Sequence, residues 1–279
     1  LRAGLVTVVQ TSLIGSILAN SLLVLGLALL AGGLRNGNLR FSSRSPRMTA
    51  TLLVLAVGAL GIPTLVQRTH LPAAAHREAL DIVCAVILLL LFAASIPFFV
   101  RGDPASHAAG VHDGCAELAR NPDARTEWAL PITIVVLVLA AIGSAFVADA
   151  FVNAMKPTIA VLGISEAFTG LVIVAIAGNA VEHVVSVQLA LKNKIDYAMS
   201  IAQMSSLQIA LGLAPLLVLL SYILGGAVLS MALPPLLVVA VGLAAGLNAL
   251  IVYDGESSWL EGAALIALYG IIAASVWWG

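Results

Sequence analysis

The sequence predicts an all-α, polytopic membrane protein with about eight transmembrane helices arranged as two inverted-topology repeats. Three observations lead there. Hydrophobic residues make up 61% of the 279 positions and charged residues only 10%, with a mean hydropathy of +1.08. Thirteen basic and fourteen acidic side chains cannot coat a water-soluble fold of this size. The apolar residues fall in stretches about 20 long, enough to cross the roughly 30 Å hydrocarbon core as helix. The third observation is a weak internal repeat, taken up below.

The stretches run roughly 5–31, 49–67, 80–100, 129–153, 167–191, 197–222, 231–252 and 258–278. The longest polar interruption, 101–127, contains Pro104, Gly110, Gly114 and Pro122 and is expected to be an extramembrane loop with one short helix near Cys115. Lys and Arg divide unevenly between alternate sides. Arg35, Arg40, Arg44, Arg47, Arg101, Arg120, Arg125, Lys192 and Lys194 share one side, against Arg2, Arg68, Arg77 and Lys156 on the other. The first set is therefore predicted to be cytoplasmic, and Trp128, Trp259, Trp277 and Trp278 fall at span ends as interfacial anchors. Cys84 and Cys115 form no metal-ligand or disulfide pattern, and no basic tract points to nucleic acid.

Shifting the chain against itself by about 190 residues pairs Arg2 with Lys192, Ser16 with Ser206, Leu23 with Leu213 and Leu27 with Leu217. Five spans separate the copies, and an odd number turns the second upside down, the arrangement in which transporters bind substrate near the membrane midplane. On this reading 1–100 is the last part of a first repeat, 101–127 the loop between repeats, and 128–279 the second repeat. The chain begins at Leu1 rather than methionine, and the repeat partner of Glu182 is expected upstream of it.

The chemistry concentrates in Gly178-Asn179-Ala180-Val181-Glu182-His183, inside the fifth span. An ionisable group in hydrocarbon marks a functional site by default, and no Lys or Arg in that span can pair with Glu182. At about 100° per residue, Asn179, Glu182, His183 and Ser186 share one helix face. Gly178, following Gly170, is where the helix is expected to thin or break. In the sixth span Ser200, Gln203 and Ser206 share a face, with Ser205 and Gln208 pointing elsewhere unless the helix is distorted; in the first, Ser12, Ser16 and Asn20 form a stripe. These carboxylate, amide and hydroxyl oxygens are the ligand set of a hard cation such as calcium. The serines also have a duller use, bonding the carbonyl a turn back or joining helices, and Asn20, Gln203 and Gln208 could be interhelical hydrogen-bond partners.

Gly178 to His183, followed by Ser205-Ser206-Leu207-Gln208-Ile209-Ala210-Leu211, resembles the second repeat of the calcium/proton (cation/proton) exchangers, a branch of the calcium:cation antiporter superfamily. Val9 to Asn20, running into Gly26 and Ala31 to Arg35, resembles the helix after the acidic motif of that family's first repeat. The resemblance covers nearly the whole chain. It implies two inverted five-helix repeats and exchange of calcium or a similar divalent cation for protons, with no resident cofactor and no enzymatic activity. It places the chain in a bacterial inner membrane or an equivalent plasma or vacuolar membrane, with lipid as its surroundings and a homo-oligomer left open. Glu182 would be main ligand and proton carrier. Asn179, Ser206, Gln208 and Ser16 would be neutral ligands or site shapers, and His183 a proton-coupling neighbour. The first-repeat acidic motif does not occur in these 279 residues, Ala175 stands where many members have proline, and Gln203-Met204 replaces a more usual small or apolar pair. A sodium/calcium exchanger of the same superfamily, or an intramembrane metalloenzyme using Glu182 and His183, are the alternatives; the remaining histidines, His70, His76, His107 and His112, lie in loops.

Overall fold

The computed structural model describes residues 5–42, 44–69, 71–101, 130–224 and 228–278. The predicted loop helix near Cys115, and Arg2, His70, His107, His112 and Trp128, lie outside these residues. The chain divides into one unit of Leu1–Phe92 with Gly163–Gly279 and a second of Ala93–Leu162. The second holds the last turns of one helix and the long apolar helix that follows it.

In chain order the helices are α1 (Val6–Asn36), α2 (Pro46–Arg68), α3 (Pro72–Phe99), α4 (Pro131–Leu162), α5 (Glu166–Gly178), α6 (Ala180–Leu191), α7 (Ile195–Ile223), α8 (Pro235–Asp254) and α9 (Trp259–Ser275). Each apolar stretch picked out in the sequence is helical over most of its described residues, with residues 231–234 outside the helix that opens at Pro235. Six of these helices are long and apolar enough to cross a membrane, and α5 with α6 makes a seventh crossing if the bent pair is taken as one. The expected eighth, α9, is a 17-residue helix that rises only about 25 Å at 1.5 Å per residue, somewhat short of a full bilayer core.

Local chemistry sets the ends. Pro72 and Pro235 open α3 and α8, where a missing N–H costs nothing. Ser165 accepts from the Phe168 N–H at 2.9 Å to start α5. Ser258 and Glu261 form a reciprocal capping box on α9. Gly255, at φ 77°, takes the left-handed position that closes α8. A two-residue ribbon pairs Leu39–Arg40 with Glu256–Ser257, joining the α1–α2 and α8–α9 connections.

The repeat has a physical counterpart. α1 widens into a π segment at Ala19–Val24, and α7 does so at Ile209–Leu213, the same offset of about 190 residues found in the sequence. A third π segment, Thr169–Val174, lies in α5. Such insertions are rare in helices and cluster at functional sites.

α1 and α5 cross at two glycines. A Cβ on Gly15 would run into the Leu171 backbone, and one on Gly170 into Thr11 Oγ1 and the Val8 carbonyl. The core around the crossing is aliphatic and closed: Ile17, Leu18, Leu22, Leu25, Leu171 and Leu207 are fully buried.

Candidate cation site

The fifth span breaks where the sequence said it would. α5 and α6 meet at 59°, with Asn179 between them at φ −108°, ψ 18°. Asn179 stabilises the break from both sides: its N–H and its Nδ2 both donate to the Ala175 carbonyl, at 3.2 and 2.9 Å, and its own carbonyl accepts from the His183 N–H at 3.0 Å. With Nδ2 engaged, the amide presents oxygen as its remaining polar atom. Glu182 follows in the first turn of α6, where the exposed N–H groups of a helix start favour negative charge.

Beside this break lies a cavity of about 430 Å³ lined by Ser12, Leu13, Ser16, Val174, Gly178, Asn179, Glu182, Ser205, Gln208, Ile209 and Leu213. Three helical segments, from α1, the α5–α6 pair and α7, thus bring together Ser12, Ser16, Gly178, Asn179, Glu182, Ser205 and Gln208 of the residues singled out in the sequence. Among the described residues one carboxylate faces hydroxyl and amide oxygens, and no basic side chain lines the cavity. That set can hold a hard cation or, alternatively, a proton on Glu182.

Three expected residues sit elsewhere. Ser206, fully buried, turns from the cavity; its hydroxyl lies 3.0 Å from the Ser21 hydroxyl and donates to the Ala202 carbonyl at 3.0 Å. The stripe of α7 that faces the cavity is Ser205–Gln208, and the Gln203–Ser206 stripe packs inward instead. Both are legitimate helix faces, centred about 160° apart at 100° per residue, and the second is the one covered by α1. Asn20, also fully buried, stands behind the lining and donates from Nδ2 to Ser205 Oγ at 2.8 Å. His183 neighbours Glu182 in sequence, but its ring bonds to the Asn179 carbonyl and its Nε2 is buried without a partner among the described residues. Ser12 lines the cavity and also bonds back to the Val9 carbonyl at 2.9 Å.

Two polar groups escaped the sequence reading. Asn248, 1% exposed in α8, donates from Nδ2 to the Ser21 carbonyl at 3.0 Å. A lone amide in an otherwise apolar run was the available signal. Asp81, 2% exposed near the start of α3, accepts from Ser230 Oγ at 2.9 Å; it was legible only as an acid four residues after Arg77. Among the described residues no three His, Cys, Asp or Glu side chains assemble.

The sodium/calcium exchanger protein family matches residues 1–101 and 132–278. The chain belongs to that family. Among similar members of the exchanger family is the Ca(2+)/H(+) antiporter of Aphanothece halophytica, 34% identical over 98% of this chain and 74% of its own length. Another is the Ca(2+)/H(+) antiporter ChaA of Bacillus subtilis (strain 168), 36% identical over 98% of this chain and 76% of the relative. In three dimensions this exchanger-family chain superposes on the structure of native YfkE with a TM-score of 0.79 at 32% identity, covering 99% of this chain and 77% of that one.

Proposed function

We propose that this chain is a secondary transporter that exchanges calcium, or a similar divalent cation, for protons across a membrane by alternating access. The observation that carries the reading is Glu182, a single carboxylate at a helix break, facing a cavity whose other polar lining is neutral oxygen. A divalent cation needs that carboxylate deprotonated, so cation and proton exclude each other from one site. Exchange follows when the site opens alternately to the two sides.

In this account Glu182 is the charged ligand and the proton carrier. Asn179, Ser12, Ser16, Ser205 and Gln208 contribute neutral oxygens, and Gly178 keeps the approach to the break open. Asn20 acts through Ser205, Ser206 fixes α7 against α1, and His183 anchors the first turn of α6 through the Asn179 carbonyl. The ring of His183 is turned from the cavity, so the choice of protons over sodium leans on the names of the relatives rather than on imidazole chemistry. Lipid would cover the apolar outer faces of α2 and α3, where Leu55, Leu65, Ile87 and Leu90 are at least half exposed.

The test is calcium uptake into proteoliposomes of the full chain, driven by a pH gradient or by a sodium gradient. The pH gradient should drive uptake, and Glu182→Gln should abolish it while the thermal unfolding transition persists. Near-normal transport by that variant would remove Glu182 from the mechanism, and uptake driven by sodium alone would move the chain to the sodium-coupled reading.

A further inference from the structure

The π segments of α1 and α5 each take the usual donor away from one backbone carbonyl. In a regular helix the Leu25 N–H would bond the Ser21 carbonyl four residues back. It reaches instead the Asn20 and Leu22 carbonyls on either side. In α5 the Ala175 N–H likewise passes over Leu171 and reaches Gly170 and Val172. Ser21 and Leu171 are each the third residue of a six-residue segment, so the same distortion releases the same carbonyl in both helices.

A side chain from another helix meets each released carbonyl. Asn248 of α8 donates from Nδ2 to the Ser21 carbonyl at 3.0 Å. Its Nδ2 also donates to the Ala244 carbonyl of its own helix at 2.8 Å, which fixes the plane of the amide. Tyr269 of α9 donates from its hydroxyl to the Leu171 carbonyl at 3.5 Å. Gly15 makes room for that carbonyl on the side of α1, since a Cβ there would run into it. The two donors are 1% and 5% exposed, and neither lines the cavity. In hydrocarbon a carbonyl without a donor is costly, so these bonds favour the distorted helix over the regular one.

Both segments end on residues that build the site. Consecutive Asn20 and Ser21 meet consecutive Ser205 and Ser206 of α7 at 2.8 and 3.0 Å, and Ser205 lines the cavity. The α5 segment ends at Val174, another lining residue, and the next residue, Ala175, supplies the carbonyl that takes both Asn179 donors at the break before Glu182. If either segment relaxed to a regular helix, one residue would leave the widened turn. Everything on one side of it would then rotate by about 100°.

We propose that Asn248 and Tyr269 are positioning residues of the cation site. Each holds a π segment, of α1 and of α5, in the register that sets Ser205 and Glu182 at the cavity. Their part in transport rests on the exchange reading, whereas their hold on the helices does not.

Two measurements on the full chain test this. In a background of Cys84→Ser and Cys115→Ser, Ser21→Cys with Ser206→Cys puts two thiols where hydroxyls lie 3.0 Å apart, and oxidation by copper phenanthroline should join them. Adding Asn248→Leu, which keeps the shape of the side chain and removes its donor, should slow that closure about tenfold or more. In proteoliposomes, Asn248→Leu and Tyr269→Phe should each raise the half-saturating calcium concentration about threefold or more. Asn248→Leu should add nothing further to Ser205→Ala, because both act on one oxygen, whereas independent packing losses would add. Unchanged disulfide closure, additive effects, or wild-type calcium dependence in both variants overturns the proposal. Should Asn248→Leu fail to fold, Tyr269→Phe, which removes a single oxygen, decides it by the same calcium dependence. If the wild-type protein exchanges no calcium for protons while Asn248→Leu still slows disulfide closure, the functional reading falls and the hold on the π segment stands.

Discussion

Asn20 Nδ2 donates to Ser205 Oγ at 2.8 Å, so a fully buried amide on α1 fixes a hydroxyl that lines the cavity on α7. Ser205 accepts this bond from behind while itself lining the cavity. The bond therefore joins the packing of two helices to the geometry of the site.

Ser205→Ala separates these two effects. It leaves the Asn20 Nδ2 buried and unpartnered, at a cost of about 1–3 kcal/mol, and withdraws one oxygen from the cavity. We expect a lower unfolding temperature together with a higher half-saturating calcium concentration in vesicle uptake. A variant with wild-type calcium dependence would take Ser205 out of the site.

The α1–α5 crossing should tolerate no added carbon. Gly170→Ala places a methyl group against Thr11 Oγ1 and the Val8 carbonyl, and backbone cannot step aside as a flexible side chain can. Overpacking of this kind costs about 1–3 kcal/mol or more. Gly178→Ala, with open space around its Cβ, should leave the melting temperature nearly unchanged. A comparison of the two by thermal unfolding in detergent checks the assignment, and equal losses would contradict it.

Competition at one carboxylate fixes the sign of the pH response. Metal binding needs the deprotonated form, so the half-saturating calcium concentration should rise as the pH falls on the side where calcium is added, while maximal flux at saturating calcium changes less. Uptake rates measured over calcium concentration at several pH values read this directly. A half-saturation constant independent of pH would separate proton and cation sites.

The Arg40–Glu256 pair at the two-strand ribbon is a contrasting case. The two side chains are 81% and 50% exposed, so their attraction is screened by water. Arg40→Ala should cost less than about 1 kcal/mol, with transport unaltered. A large loss of stability or activity would assign the ribbon a role that its solvation does not suggest.

How much of this was legible in the chain follows from what helix periodicity encodes. The apolar stretches, the break at Gly178–Asn179 and the repeat offset near 190 depend on residues within one segment, and each has its counterpart in the fold. What periodicity cannot encode is which of two polar faces meets a neighbour. The Gln203–Ser206 and Ser205–Gln208 stripes are equivalent on a helical wheel, and only the packing of α1 against the first leaves the second to the cavity. The same limit separates His183 from Glu182, adjacent in sequence yet about 100° apart around the axis. Asn248 was passed over because a single amide carries no period at all.

The close approach of α1 and α5 at Gly15 and Gly170 has a mechanical consequence. Helices normally lock by seating ridges of side chains in each other's grooves, and shifting one against the other means lifting every ridge. Where Gly15 meets the Leu171 backbone there is no ridge to lift. A tilt of α1 against α5 at that point displaces no side chain, and the one that resists it is Thr11, whose hydroxyl seats against Gly170 one turn away.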